Sequence, residues 1–390
     1  MSGIGAGTRP VPTPTRPFGW GLAALGMATL LAAVLAAPHG ARAAAAQDWP
    51  PFVLVAGLLL VGLVADEDGL FAAGGHALAR LCPNGVALYG GTVVLVVSVT
   101  TLLNLDTSVT FLTPVLVYAA RSRGEGEAPL IYACLLLSNA GSLMLPGSNL
   151  TNLIVLGHLH LSGGAFFAHM ALAALAAAVV TALVVGAVHH RDLRAPMTPS
   201  SEYVRPVFGV GVVAVAAVTV LIVGLHSPAI PVAVVGVAAV LIRSLRRDTT
   251  TSGASAVRVL GLPVLVGLFG LAMALGTLGR SWSGPATLLS HLNALGTAFA
   301  AAITSVLVNN LPAASLLAAR QPPHPFELLV GLNIGPNMFV TGSLAWVLWL
   351  RAARAAGGRP DVKKASLLGL ASAPLAIAAA VGVLTLGGAH

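Results

Sequence analysis

Residues 95–113 read LVVSVTTLLNLDTSVTFLT, and this stretch decides the fold. Apolar and β-branched side chains fill both ends, yet the middle holds Asn104-Leu105-Asp106-Thr107. A second apolar stretch, 292–320, carries Asn309-Asn310-Leu311-Pro312 in the same central place. Segments 87–120 and 292–320 are each long enough for two short helices, so each reads as a re-entrant hairpin with a polar tip. Unsatisfied polar and backbone groups cost several kcal/mol each in hydrocarbon. Such tips therefore persist there only when buried in protein or lining a wet cavity.

Around these hairpins the whole chain is apolar. Of 390 residues, 57% are hydrophobic and 8% charged; mean hydropathy is +0.91. Soluble domains carry about 25% charged residues, so a soluble fold is excluded. Spans are expected at 20–37, 51–65, 129–157, 165–187, 206–225, 228–243, 258–277, 325–351 and 366–387. The expected fold class is an all-α polytopic membrane protein, with about 9 spans and 2 hairpins.

A net charge of +8 raises the question of nucleic acid. The cations, however, sit in short loops between apolar runs, as membrane topology requires. With Arg9 and Arg16 in the cytoplasm, loops 121–127, 188–205, 243–258 and 351–364 all fall inside and carry Arg121, Arg123, Arg191, Arg194, Arg205, Arg243, Arg246, Arg247, Arg351, Arg354, Lys363 and Lys364. Arg42, Arg280 and Arg320 fall outside; Asp66, Glu67 and Asp68 fall inside, where acids weigh little. The expected location is a bacterial-type cytoplasmic membrane, with the N-terminus inside and no nucleic-acid partner. Residues 9–46 also fit a secretory leader cut near Ala41-Arg42-Ala43. A retained first span is favoured, because its loss spoils the charge pattern.

Cys82 and Cys134 fit no metal or redox spacing. No P-loop, dinucleotide fingerprint, Ser-His-Asp, zinc or paired-carboxylate arrangement occurs, so neither an enzyme, a cofactor nor a metal is expected. Energy then comes from an ion gradient or a separate partner. His158, His160, His189 and His190 read as interfacial histidines and Glu327 as an interfacial anchor. Trp282, Trp346 and Trp349 read as anchors or packing residues.

The polar clusters recur. The first set continues to Ser138-Asn139-Ala140-Gly141-Ser142 and Ser148-Asn149-Leu150-Thr151-Asn152. The second continues to Asn333-Ile334-Gly335-Pro336-Asn337 and Gly342-Ser343-Leu344. Both contain Asn-x-Gly followed by Gly-Ser. This suggests an inverted repeat: a disordered tail at 1–19, a first half at 20–187 (hairpin 87–120, broken helix 129–157), a connecting loop and extra span at 188–227, and a second half at 228–390 (hairpin 292–320, broken helix 325–351). Paired helix breaks offer N–H groups to anions and C=O groups to cations. The bland alternative is that small and polar residues merely pack helices together. Asp106 is the acid expected deep in an apolar segment, either binding a coupling proton or cation or capping the following helix near Thr107.

Together these clusters resemble the arsenite permease (ArsB-type) family over roughly residues 50–355. More distantly they resemble divalent-anion:sodium symporters and citrate and sodium/proton transporters. The resemblance implies an inverted-repeat fold with a scaffold and a moving domain, often a homodimer. It further implies export of arsenite or antimonite on the proton motive force, or with a separate ATPase subunit. Carried over, the substrate and ion site comprises Asn104, Asp106, Thr107, Ser138, Asn139, Ser142, Ser148, Asn149, Asn152, Asn309, Asn310, Asn333, Asn337 and Ser343. The leading expectation is secondary transport of a small inorganic or organic anion, arsenite or antimonite efflux first, coupled to protons or sodium. The rivals are a dicarboxylate or citrate transporter, a cation/proton antiporter, and a non-transporting membrane scaffold.

Overall fold

The computed structural model describes residues 16–387, apart from 125, 158, 160, 197–208, 226 and 246–252. Most of the expected tail lies outside the described residues, as do Arg9, His158, His160, Arg205, Arg246 and Arg247. In chain order the helices are α1 (Arg16–Ala36), α2 (Pro38–Glu67), α3 (Leu70–Leu81), α4 (Gly85–Leu102), α5 (Leu105–Ser122), α6 (Ala128–Gly141), α7 (Leu150–Leu156), α8 (Gly163–Val188) and α9 (Val210–Gly224). They continue as α10 (Ala229–Leu245), α11 (Gly253–Leu260), α12 (Leu262–Ser281), α13 (Gly284–Ser290), α14 (Ala294–Val308), α15 (Asn310–Leu317), α16 (Pro325–Ile334), α17 (Leu344–Ala355) and α18 (Val362–Leu386). Among the described residues six helical stretches are long and apolar enough to cross a membrane. The protein is a polytopic, all-helical membrane protein.

Both expected hairpins form. α4 and α5 meet at Leu103–Asn104; α14 and α15 meet at Asn309. Both expected broken helices are broken. α6 gives way to a 3₁₀ turn at Pro146–Ser148 before α7, and α16 to a 3₁₀ turn at Gly335–Met338 before α17. The order hairpin, broken helix, long helix thus occurs twice, as α4–α8 and as α14–α18.

Some expectations need correction. The span placed at 51–65 is the second part of a 30-residue helix that begins at Pro38 and runs through Pro50 and Pro51. In a packed bundle, neighbouring helices re-satisfy the backbone groups that an internal proline frees. Two short helices, α3 and α13, were not expected; neither is long enough to span. The span at 258–277 is extended upstream by α11, and Gly261 (φ 55°) turns the chain between α11 and α12.

The packing exchanges partners between the halves: α1 lies on α12, and α10 lies on α2. Both contacts depend on glycine. A Cβ on Gly270 would sit 2.2 Å from the Gly26 carbonyl oxygen, and one on Gly236 would sit 2.5 Å from that of Gly57. Close small-residue packing of this kind holds helices together, and it recurs at the second break, where a Cβ on Gly335 would sit 2.5 Å from the Ala302 Cα. On the other side α8 packs on α18, α4 on α6 and α14 on α16.

Loops grouped by charge are found together. Arg243 pairs with Glu67 at 3.1 Å and with Asp68, whose other oxygen accepts from the Gly211 N–H at 2.6 Å. Arg121 meets Glu127 at 3.6 Å and donates to the Gly357 carbonyl at 2.6 Å. Arg320, from the opposite group, donates to the Arg280 carbonyl at 2.9 Å.

Trp346 and Trp349 are fully buried and donate to the Pro336 and Ile131 carbonyls at 2.8 Å, so they are packing residues; Trp282 is exposed. His189 lies 2.8 Å from the Asp192 carboxylate. Glu327, expected as an interfacial anchor, is buried in the first turn of α16.

Candidate substrate and ion site

The site is built from helix ends. Each broken element leaves backbone N–H groups at the start of its second half-helix. Four such starts carry a polar residue at the cap position: Asn104 on α5, Asn149 on α7, Asn309 on α15 and Ser343 on α17. Asn104 accepts from the Thr107 N–H at 2.6 Å. Asn149 accepts from Thr151 and Asn309 from Leu311, each at 3.4 Å. The side chain that caps α5 is therefore Asn104, and of the two alternatives for Asp106 the capping one is not seen.

These starts converge. A cavity of about 30 Å³ is lined by Asp106, Asn149, Asn309, Asn310 and Ser343, together with Phe52 and leucines. That is about the volume one water takes in the liquid. Several groups around it lack partners. No donor reaches the Asp106 carboxylate among the described residues. The Asn104 amide nitrogen, the Thr107 hydroxyl and the Ser343 hydroxyl are buried without a hydrogen-bond partner. In a folded interior such orphans are rare and ask for an explanation.

Beside this cavity lies a closed polar knot centred on Asn333. Its carbonyl oxygen accepts from Ser142 (2.9 Å), Asn149 (2.5 Å) and Thr151 (3.2 Å). Its amide nitrogen donates to the Asn152 carbonyl oxygen and to the Leu329 carbonyl, both at 2.9 Å. Asn152 in turn donates to the carbonyls of Ser142 (2.7 Å) and Leu145 (3.0 Å). One layer away Asn139 donates to Asn337 at 2.7 Å, and Asn337 donates to the Leu136 carbonyl at 3.1 Å. These bonds join residues far apart in sequence, so the two broken helices are tied at their breaks. Gly369 on α18 lets Asn337 sit there: a Cβ on it would lie 1.8 Å from the Asn337 carbonyl oxygen.

The fourteen expected residues thus fall into distinct places. Asp106, Asn149, Asn309, Asn310 and Ser343 line the cavity, and Asn104 and Thr107 flank Asp106 in the first turn of α5. Ser142, Asn149, Asn152 and Asn333 form the knot, with Asn139 and Asn337 beside it. Ser138 and Ser148 donate to the Cys134 and Thr101 carbonyls at 2.6 and 2.9 Å. Sequence reasoning missed Arg258 and Arg351. They line a second cavity of about 60 Å³ that also touches Asp106. It also missed Asp48, which is 1% exposed, because that residue was placed in a loop ahead of a span.

Many buried half-helix ends, two hairpins and two broken helices define the class: a membrane transporter. The comparisons with known proteins agree. A family model described as citrate transporter (CitMHS) matches residues 15–348. The arsenical pump membrane protein of Escherichia coli is 25% identical over 340 residues, covering 77% of this chain and 78% of that protein. The crystal structure of the Alcanivorax borkumensis YdaH transporter matches with a TM-score of 0.55 at 14% identity, covering 89% of this chain and 87% of that one. At that identity the likeness speaks to the fold. The chain belongs to the CitMHS citrate transporter family.

Proposed function

We propose that this protein is a secondary active transporter of a small anion or oxyanion, with arsenite or antimonite efflux as the leading assignment. One observation carries the reading: four half-helix starts, three of them capped by Asn side chains, surround a small cavity that also holds a carboxylate with no hydrogen-bond partner among the described residues. Half-helix starts favour negative charge or oxygen acceptors. The carboxylate supplies a place for a coupling proton, and its charge alternates with that of the substrate. Among the described residues no Arg or Lys lines this cavity, which favours a small or neutral oxyacid such as undissociated arsenite over a tricarboxylate. The likeness to the arsenical pump protein points the same way.

Citrate or a dicarboxylate is the second reading. It is favoured by the family and by Arg258 and Arg351 in the cavity adjoining Asp106. The inverted repeat, a cytoplasmic membrane with the N-terminus inside, a homodimer and a separate ATPase subunit belong to the same proposal. The contacts among loops of like charge support the topology.

The test is uptake into proteoliposomes of arsenite, antimonite and citrate under imposed proton or sodium gradients. Arsenite movement that follows the proton gradient, and is lost in Asp106→Asn, is the expected result. Gradient-driven transport by Asp106→Asn at the wild-type rate defeats the role of Asp106. Citrate uptake in place of arsenite selects the second reading. No transport of any of the three, with no effect of joint alanine substitution at Asn104, Asn139, Asn309 and Asn333 on cellular resistance or growth, returns the chain to a scaffold.

A further inference from the structure

A second buried carboxylate lies away from the central cavity, and the transport site does not use it. Asp48, in the first half of α2, is 1% exposed. One of its oxygens accepts from the Ser315 hydroxyl on α15 at 3.2 Å; the other is buried without a hydrogen-bond partner. The neighbouring Gln47 amide donates to the Ile154 carbonyl at 2.8 Å and the Ala318 carbonyl at 3.1 Å. Those carbonyls lie at the C-terminal ends of α7 and α15, one from each half of the chain. Arg280 on α12 donates to the Gln47 side-chain oxygen and, at 2.9 Å, to the Gly276 carbonyl.

α15 joins this cluster to the cavity. Its N-terminal residues Asn310 and Leu311 line the cavity, and Ser315 holds Asp48 near its other end. A helix of this length spans only about 12 Å. Beside the cluster opens a cavity of about 760 Å³ lined by Gln47, Trp49, Arg280 and the ends of α7. Both sequence neighbours of Asp48, Gln47 and Trp49, line that cavity. Among the described residues Arg280 is the charged group that faces Asp48. α7 (LTNLIVL) and α15 (NLPAASLL) carry no titratable side chain, and on α2 itself His39 and Arg42 lie one and a half turns or more away in sequence.

We infer that Asp48 is a second proton-binding site of the transport cycle, distinct from Asp106, and that its ionised form latches α15 to α2. The inference rests on the transport reading above. In the ionised state the carboxylate accepts from Ser315 and attracts Arg280. Arg280 in turn orients Gln47 against the carbonyl ends of α7 and α15. A proton added to the free oxygen cancels the charge that Arg280 faces, and the latch loosens. α15 is then free to move as the cavity at its other end opens. On the charge-derived topology the large cavity faces away from the cytoplasm, so the proton enters from outside, as efflux driven by proton entry needs.

Two readouts test this. Infrared difference spectroscopy of the full-length protein in lipid, without substrate, compares wild type, Asp48→Asn and Asp106→Asn as pH is lowered. A protonated-carboxyl stretch that is absent from Asp48→Asn and retained in Asp106→Asn is expected. In Ser315→Ala, which keeps the carboxylate but removes a donor to its ionised form, the band appears at higher pH. The second readout is arsenite or citrate accumulation driven by a pH gradient in proteoliposomes. It is expected to fall at least about tenfold in Asp48→Asn, an effect of about 1.4 kcal/mol or more. An unchanged infrared band, or wild-type accumulation by Asp48→Asn, overturns the inference. If wild type moves none of the probes, the transport reading fails on its own, and the infrared arm alone decides Asp48.

Discussion

The two hairpin tips occupy matching places in the two halves, yet they are built differently. At the first tip Asn104 is in extended conformation and caps α5 with a short bond to Thr107. Around it the Asn104 amide nitrogen, the Thr107 hydroxyl and the Asp106 carboxylate have no hydrogen-bond partner among the described residues. At the second tip Asn309 adopts a positive φ of 76°, caps α15, and donates to the Thr341 carbonyl at 3.3 Å. The Asn310 N–H donates to the Gly342 carbonyl at 2.8 Å, tying the second tip to the second break. One tip is anchored by its backbone; the other keeps open polar groups and, among the described residues, the only acid lining the cavity. Repetition in the chain therefore need not mean repetition of role. On the proposed transport reading, the second tip fixes geometry and the first carries chemistry.

Substitutions at the two tips and in the knot test this difference in construction. The largest effect is expected for Asn333→Ala. It removes a hub that satisfies four other buried side chains, each costing about 1–3 kcal/mol when left without a partner. Thermal unfolding in detergent should show a loss of several kcal/mol, or no folded protein at all. A variant as stable as wild type shows that the knot is not structural. Gly369→Val should come next. Its side chain collides with the Asn337 carbonyl, and overpacking of this kind costs about 1–3 kcal/mol. A stability near wild type in the same assay argues that α18 does not hold that break in place.

At the first tip, Asn104→Ala should cost about 1 kcal/mol through loss of the cap. Asn309→Gly should change stability by only a few tenths of a kcal/mol, because glycine removes the strain of positive φ while giving up the cap. Equal losses for these two variants would erase the distinction between the tips. Asp106→Asn should leave the unfolding temperature almost unmoved, since no donor holds the carboxylate, while abolishing proton-driven transport. A large drop in stability reveals a structural Asp106 instead.

Much of this was legible in the chain. Asn, Ser and Gly in apolar sequence marked both hairpin tips and both helix breaks, because hydrocarbon tolerates such groups only under special packing. The spacing of Asn139–Gly141 and Asn333–Gly335 exposed the repeat before any contact was known. Local signals failed where tertiary packing overrides them. Pro50-Pro51 read as a helix start, yet α2 runs through it and buries Asp48 against α15. Arg351 read as a loop cation and Arg258 stood unremarked at the start of a span, yet both line a cavity beside Asp106. Which of fourteen polar residues would be satisfied and which left open depends on partners some 180 to 200 residues away, as for Asn333 with Asn152 or Asn337 with Leu136.

That this is a membrane protein of broken helices follows from the order of its residues alone. Hydropathy and charge are additive along the chain, and the bilayer reads them locally. It takes the folded packing to bring four half-helix starts to one small cavity and to leave there a carboxylate with no hydrogen-bond partner among the described residues. Convergence is a property of packing between halves, which no run of neighbouring residues encodes.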